Sequence, residues 1–383
     1  MTFAVNPTIT VAGVDYTNFA FNYVTIDYGR TNIWDETRPS LARVEIVNTD
    51  NSVFPFAVSD ELIIKIKDTS NTDVTLFTGK LTDVKGSIRY VQASAGLGII
   101  NLTAVGLFTQ MSRSVVSTSA YPAESDHDRI VRILNESNTP IDVVDAGVYN
   151  FAAHAASPTD AYSLCQYFAN TVSGNMYETT DGKVGFASVS RRRQDAVNNG
   201  YLAIDPNAIN MSDINSSESV ADVMNLVNYI YTGGTTSYQN LDSQATYGII
   251  GSNYNSEVDN LADADEISSY LIALRAFPKK SIRQFSIRLN DPNLDNAEID
   301  SLLGIYFGMP ISIAGLPNSI VTSTYYGFIE GWNLTITPVD VLITLKSSDA
   351  SYSKIPTRWQ EVSAALQWED VTPATMDWSN YAP

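Results

Sequence analysis

The two ends of this 383-residue chain carry the same succession of β-strand patterns, and that duplication limits the possible folds more than any other feature. Near the N-terminus, Ala42-Arg43-Val44-Glu45-Ile46-Val47-Asn48 alternates with the two-residue period of a half-buried strand. Phe285-Ser286-Ile287-Arg288-Leu289-Asn290-Asp291 alternates in the same way. A second strand follows each, Leu62-Ile63-Ile64-Lys65-Ile66 in one copy and Pro310-Ile311-Ser312-Ile313-Ala314 in the other. An aromatic residue then precedes a glycine, in Leu76-Phe77-Thr78-Gly79-Lys80-Leu81 and in Phe328-Ile329-Glu330-Gly331-Trp332-Asn333-Leu334. Ile99 to Thr103 and Val341 to Leu345 close the copies. The spacing is 242 residues between Asn48 and Asn290, and 252 between Gly79 and Gly331. A period this long is not that of a solenoid. Two similar β-units per chain allow three chains to build a ring with six similar positions.

Length suggests about two to four domains. Hydrophobic content of 44% is that of a globular protein, and 21 Tyr favour sheets over long helices. No apolar run reaches the roughly 18–20 residues that a membrane span needs, so no membrane anchor is expected. Met1 to Pro7 lacks the basic and apolar regions of a signal peptide. A single cysteine excludes an internal disulfide. The net charge of −19 argues against sequence-specific DNA binding, because acidic surfaces repel phosphates. Lining a channel, the same charge would let DNA pass without sticking; plain solubility is the other reading.

The chain divides by texture. Residues 1–118 read as β throughout, with Ile9-Thr10-Val11 and Tyr23 to Tyr28 alternating early. Residues 119–205 read as a small α/β domain. Ser125 opens a helix with Asp128 as its capping partner, and Ile130, Ile133 and Leu134 share one face. A second helix is expected from Ser157, with Pro158 in its first turn, Asp160 as capping partner, and Gly174 ending it. Ala161, Leu164, Cys165, Phe168 and Val172 form its apolar stripe. Asp181-Gly182 predicts a type I′ hairpin turn. Residues 206–349 read as a second β-unit with a strand at Val227 to Tyr231 and a helix at Asp263 to Leu274. Within it, 232–256 is a polar, Tyr-bearing excursion. Residues 350–383 repeat a Trp-polar-polar-apolar unit at Trp359-Gln360-Glu361-Val362, Trp368-Glu369-Asp370-Val371 and Trp378-Ser379-Asn380-Tyr381. Exposed Trp residues call for a pocket, so Trp359, Trp368 and Trp378, with Val362, Val371 and Tyr381, read as anchors of an arm on neighbouring subunits. Folding back on its own chain is the alternative.

Catalytic signals are sparse. His127, between Asp126 and Asp128, reads as a solvated helix start rather than a general base. Cys165 lies in the apolar stripe of its helix, which favours a buried structural thiol over a nucleophile paired with His154. Asp291, Asn293 and Asp295 open like a calcium loop, but Asn296 and Leu302 stand where Gly and Glu are required. A turn followed by a capped helix fits better, so no metal or cofactor is expected. Gly96-Leu97-Gly98 lacks the rest of a phosphate-binding motif. Arg191-Arg192-Arg193 is the one basic cluster, and reads as a solvated run or as a contact for an acidic neighbour or a nucleic acid.

Several of these stretches resemble the tail hub, or minor tail, proteins of long-tailed phages, and the layout is similar to that of contractile-tail baseplate hubs. The resemblance rests on Val24 to Arg30, Ala42 to Asn48 with Asp50, Leu76 to Val84, Gly308 to Ile313 before Leu316-Pro317, the Phe328 to Gly331 strand and the terminal Trp units. It spans most of the chain, apart from 232–256. It implies a mainly β (α+β) chain with two tube-like β-barrels, an inserted small α/β domain and an extended C-terminal arm. It implies a homotrimer at the tail tip of a virion assembled in the bacterial host cytoplasm. The implied partners are the distal tail ring or tail tube, and tip, fibre or tape-measure proteins. No peptidase or lysozyme module and no catalytic role are expected. The rival readings are a hexameric distal ring protein with a carbohydrate-binding insert at 232–256, and a cell-surface polysaccharide hydrolase built on a carboxylate pair.

Overall fold

The computed structural model describes residues 5–16, 20–48, 55–89, 97–206, 211–317 and 324–353. Alternating apolar residues build the strands of one large sheet. The strands of its first half are β1 (Ala20–Gly29), β2 (Leu41–Asn48), β3 (Glu61–Lys67), β4 (Asp73–Arg89) and β5 (Leu97–Val105). Those of its second half are β6 (Met211–Ser217), β7 (Ser281–Arg288), β8 (Pro310–Ile313), β9 (Tyr325–Thr337) and β10 (Asp340–Asp349). The spatial order is β6-β7-β10-β9-β1-β2-β5-β4-β3, continued by the edge strands Thr8–Val11 and Val14–Asp15, while β8 branches off β9 and pairs in parallel with a thirteenth strand, Leu202–Ile204.

The two halves therefore have one topology, β1-β2-β5-β4-β3 and β6-β7-β10-β9-β8, antiparallel throughout. They join side by side where β9 pairs with β1. Two closed barrels are not present among the described residues: the pairings form one open, 13-stranded sheet. The β9–β1 pairing merges the units, and β6 is left at one end. One face of the sheet is apolar, with Val44, Ile64, Phe285, Ile311, Ile343 and Leu345 in a shared core. Helix Asn296–Leu303 covers part of it with Ile299, Leu302 and Leu303. Asp295 starts that helix through a reciprocal capping box with Glu298, the local structure expected here in place of a calcium loop.

The pairing also corrects the alignment of the repeat. Lys80 lies opposite Val105, as Phe328 lies opposite Ser348. Beyond them, β4 skips Thr82 and β9 skips Glu330 at matching bulges. Gly79 therefore corresponds to Gly327 rather than to Gly331, and the shared motif is aromatic-x-Gly: Phe77-Thr78-Gly79 and Tyr325-Tyr326-Gly327. A Cβ on Gly79 would lie 2.5 Å from the Val105 carbonyl, and one on Gly327 2.7 Å from that of Ser348. The preceding ring crowds each glycine as well.

A second apolar core holds the α/β part. Helix Asp126–Glu136 is capped as expected, Ser125 Oγ accepting from Asp128 N at 3.1 Å. The next helix, Ala161–Thr171, starts later than the sequence predicts. Thr159–Asp160 pairs as a short strand with Val115–Val116, which makes Asp160 the N-cap. Ser173, not Gly174, takes the left-handed conformation after it, with φ of 57°. The hairpin turn is not type I′, since Gly182 has positive φ and Asp181 does not. Residues 224–276, assigned from the sequence to the second β-unit, pack into this α/β core through Met224, Val227, Tyr229, Val258, Ile267 and Leu271. The 232–256 excursion is itself ordered, as Gly234–Gln239, helix Leu241–Tyr247 and Gly251–Asn255; both strands flank Leu226–Tyr231. No described helix is long and apolar enough to cross a membrane.

Candidate functional site

The joint between the two β-units brings two backbones into close contact. There Gly29 ends β1 opposite Gly331 of β9. Gly29 has φ of 75°, and a Cβ on it would sit 2.7 Å from Gly331 Cα and inside the Glu330 carbonyl. A Cβ on Gly331 would lie 2.8 Å from the Arg30 carbonyl oxygen. Only glycine at both positions lets the backbones come this close. Arg30 N then donates to the Glu330 carbonyl at 2.9 Å, and Tyr28 stacks on Trp332 with ring centroids 4.9 Å apart.

The bulge at Glu330 turns this carboxylate into a fully buried position. Arg30 Nε donates to it at 2.7 Å and Arg192 Nη2 at 2.8 Å, and Ser348 Oγ donates to the other oxygen. Burial alone would raise the carboxyl pKa. The Arg192 and Arg30 charges, with hydrogen bonds from Arg192 and Ser348, overcome that and hold it at about 2. Burial lowers the Arg30 pKa in turn, against the opposing pull of Glu330. Arg192 comes from helix Arg191–Asn199, so the triad ties both β-units to the α/β part. Both guanidiniums also lie against the Phe307 ring, at 5.2 Å and 5.8 Å.

A second clasp holds the loop between β1 and β2. Buried Glu178 accepts from Ser40 N and Phe108 N, each at 2.5 Å. Tyr162 OH donates to the Thr37 carbonyl at 2.7 Å, and Gln166 Nε2 to Thr37 Oγ1 at 3.1 Å. Trp34 of the same loop receives Arg275, whose Cζ lies 4.2 Å from the ring centroid. Between this loop and the α/β part is a cleft of about 250 Å³ lined by Trp34, Arg191, Arg192, Arg275 and Phe307 among others. Its cations are already engaged: Arg191 with Asp145, Arg192 with Glu330, and Arg275 with the Asp222 carbonyl at 3.1 Å. This is a structural seam rather than a binding pocket.

The sequence candidates fall as follows. Arg191 and Arg192 are not a solvated patch, because both are consumed by internal ion pairs, and Arg193 also has a partner. Trp359, Val362, Trp368, Val371, Trp378 and Tyr381 lie outside the described residues. His127 Nδ1 lies 2.8 Å from the Asp145 carbonyl, and His154 Nδ1 2.7 Å from Glu257 Oε1. Cys165 is buried, and its thiol pKa is raised by that burial and then by Asp160. Asp291 Oδ1 accepts from Asn293 N at 2.9 Å. No described group of three or more His, Cys, Asp or Glu is placed to hold a metal. Sequence reading missed Arg30 and Glu330 as a pair. The available signal was a charged residue inside the otherwise apolar run Tyr325 to Trp332, with Gly-Arg closing the earlier strand.

No protein-family model matches the sequence, and no curated protein matches it. Solved structures do share its fold. A tail protein from Neisseria meningitidis is 11% identical, with a TM-score of 0.62 over 92% of this chain and 98% of that one. A 43 kDa prophage tail protein from Shewanella oneidensis is 8% identical, with a TM-score of 0.61 over 91% and 98%. A type VI secretion component from Escherichia coli, described as similar to bacteriophage T4 tail proteins, is 11% identical, with a TM-score of 0.51 over 89% and 76%. The chain thus has the fold of phage tail and baseplate-hub-like proteins.

Proposed function

We propose that this protein is a structural component of a phage tail: a homotrimeric hub at the tail tip that adapts a six-fold tube or distal ring to a three-fold tip. The observation that carries the reading is the identical strand order of the two β-units within one sheet. Three chains then present six similar units, and rotation by one unit maps the ring approximately onto itself. The shared fold with phage tail proteins supports the same reading. The ring would line or close the DNA channel, and its acidic charge would keep passing DNA from sticking. The partners would be the distal ring or tail tube on one side, and tip, fibre or tape-measure proteins on the other. The Trp-bearing segment 350–383 would dock on neighbouring chains.

The role is non-catalytic. The two deeply buried carboxylates described above, Glu330 and Glu178, are both saturated by internal donors. Of the tyrosines in the 232–256 excursion, Tyr254 stacks on buried Tyr229 with ring centroids 6.2 Å apart, whereas Tyr238 is exposed, so the carbohydrate-binding insert stands as the rival reading. Light scattering on the purified chain tests the proposal, with negative-stain imaging beside it. A trimer forming six-lobed rings is expected. A stable hexamer would favour the distal ring reading, and hydrolysis of host wall polymer would favour the enzyme.

A further inference from the structure

The internal repeat specifies how one copy meets the next. Lys80 of β4 and Phe328 of β9 are each paired on both sides, to Glu61 and Val105 and to Pro310 and Ser348. Past Phe328, the edge that β8 leaves is taken over by β1, with Gly331 to Ile336 opposite Gly29 to Val24. Past Lys80, the equivalent edge of β4 from Asp83 to Arg89 meets no described strand. The counterpart of β1 in the second unit is β6, and its outer edge also meets no described strand. Each chain thus makes the β9–β1 junction once internally, and carries both halves of a second one on separate edges.

We infer that β4 of one copy pairs antiparallel with β6 of the next, repeating the β9–β1 junction between chains. The register follows from the bulges. Counting on from Thr82 and Glu330, Ser87 takes the place of Thr335, and Ile88 that of Ile336. Asn215 lies opposite Gln284 as Thr25 lies opposite Arg43, and these occupy one place in the repeat. Thr335 pairs with Thr25, so Ser87 pairs with Asn215 of the neighbour. Burial agrees with this placement. Ile336 is 0% exposed at its junction, whereas Ile88 is 62% exposed in the single chain. An unprotected strand edge beside an exposed Ile is an aggregation hazard unless a partner covers it. The contact is head-to-tail, so it closes a ring when the rotation permits. Closure at three copies rests on the trimeric reading proposed above.

The test is the double variant Ser87→Cys/Asn215→Cys, oxidised with diamide. Paired strands place the two Cα atoms about 4.5–5.5 Å apart, within disulfide reach. Both positions are exposed, and Cys165 is buried, so the new thiols are the reactive ones. A covalent trimer on a non-reducing gel, absent from either single variant, is expected. A trimer by light scattering that gives no covalent trimer overturns the edge pairing while leaving the trimeric reading intact. Covalent hexamers overturn three-copy closure, and a persistent monomer without cross-links overturns both. Ile88→Asp supplies an independent check, and is expected to give a folded monomer; a trimer of undiminished stability in that variant counts against the pairing.

Discussion

Replacing Glu330 by Gln removes the one anion between two buried guanidiniums while keeping the shape of the side chain. Its carboxyl sits at about 2 against an ordinary 4.5, a gap that corresponds to about 3 kcal/mol. Loss of one partner from a buried pair costs about 3–5 kcal/mol, because the remaining charge is stranded, and the two figures agree. The folded-state pKa is depressed, so the stabilisation is fully present above pH 4.5 and is lost as pH falls through about 2. Local opening is read by amide exchange at neutral pH in peptides spanning 24–30 and 325–336. About 3 kcal/mol corresponds to roughly 100-fold faster exchange there. The Arg30 amide, which donates to the Glu330 carbonyl, belongs to that set. In urea, the gap between wild type and variant narrows as pH is lowered from 4.5 toward 2. Exchange within threefold of wild type, or a gap that widens in acid, would refute the account of the triad.

Three further outcomes follow from the same geometry. Gly29→Ala combines positive φ with a backbone clash and should cost more than about 3 kcal/mol, whereas Gly13→Ala, at φ of 79° with open space around it, should cost about 1–2 kcal/mol; thermal unfolding of the pair separates strain from collision. Asp126 is raised by burial to about 6, so its share of stability is present below the ordinary 3.8 and is lost as pH rises through about 6. Asp126→Asn keeps an acceptor for His127 N and Val148 N and should raise the denaturation midpoint above pH 6 but not below pH 4, as urea titrations at both ends would show. Cys165 should react with an aromatic disulfide reagent only as fast as the α/β core opens, so its labelling rate should rise in step with loss of helical signal in urea.

What the sequence revealed follows the range over which its signals act. Helix Asp126–Glu136 was legible because Ser125, Asp128 and the Ile130, Ile133, Leu134 stripe all lie within three turns. The start of Ala161–Thr171 was misplaced because the competing partner of Thr159–Asp160 is Val115–Val116, more than forty residues away. Residues 224–276 were put with the second β-unit because the strand pattern at Val227 to Tyr231 continues its β-rich texture. Their packing is decided by contacts such as Tyr229 OH donating to the Thr171 carbonyl at 2.7 Å, which leave no local trace.

The repeat shows the same division at higher stakes. The succession of strands along the chain was readable because each strand alternates by itself, but their order in the sheet and their register were not, the register being set by bulges that skip Thr82 and Glu330. Those bulges are where the two halves diverge chemically. In the first unit the skipped residue is a threonine that bonds the Thr103 carbonyl at 3.3 Å. In the second it is a glutamate that draws Arg30 and Arg192 into the joint. Tethering already favours pairing of the two halves within one chain, and the buried Glu330 pairs add to that preference. Glu330 anchors the β9–β1 junction within one chain, whereas the β4 and β6 edges, which the proposed contact would join between chains, carry no counterpart of that carboxylate.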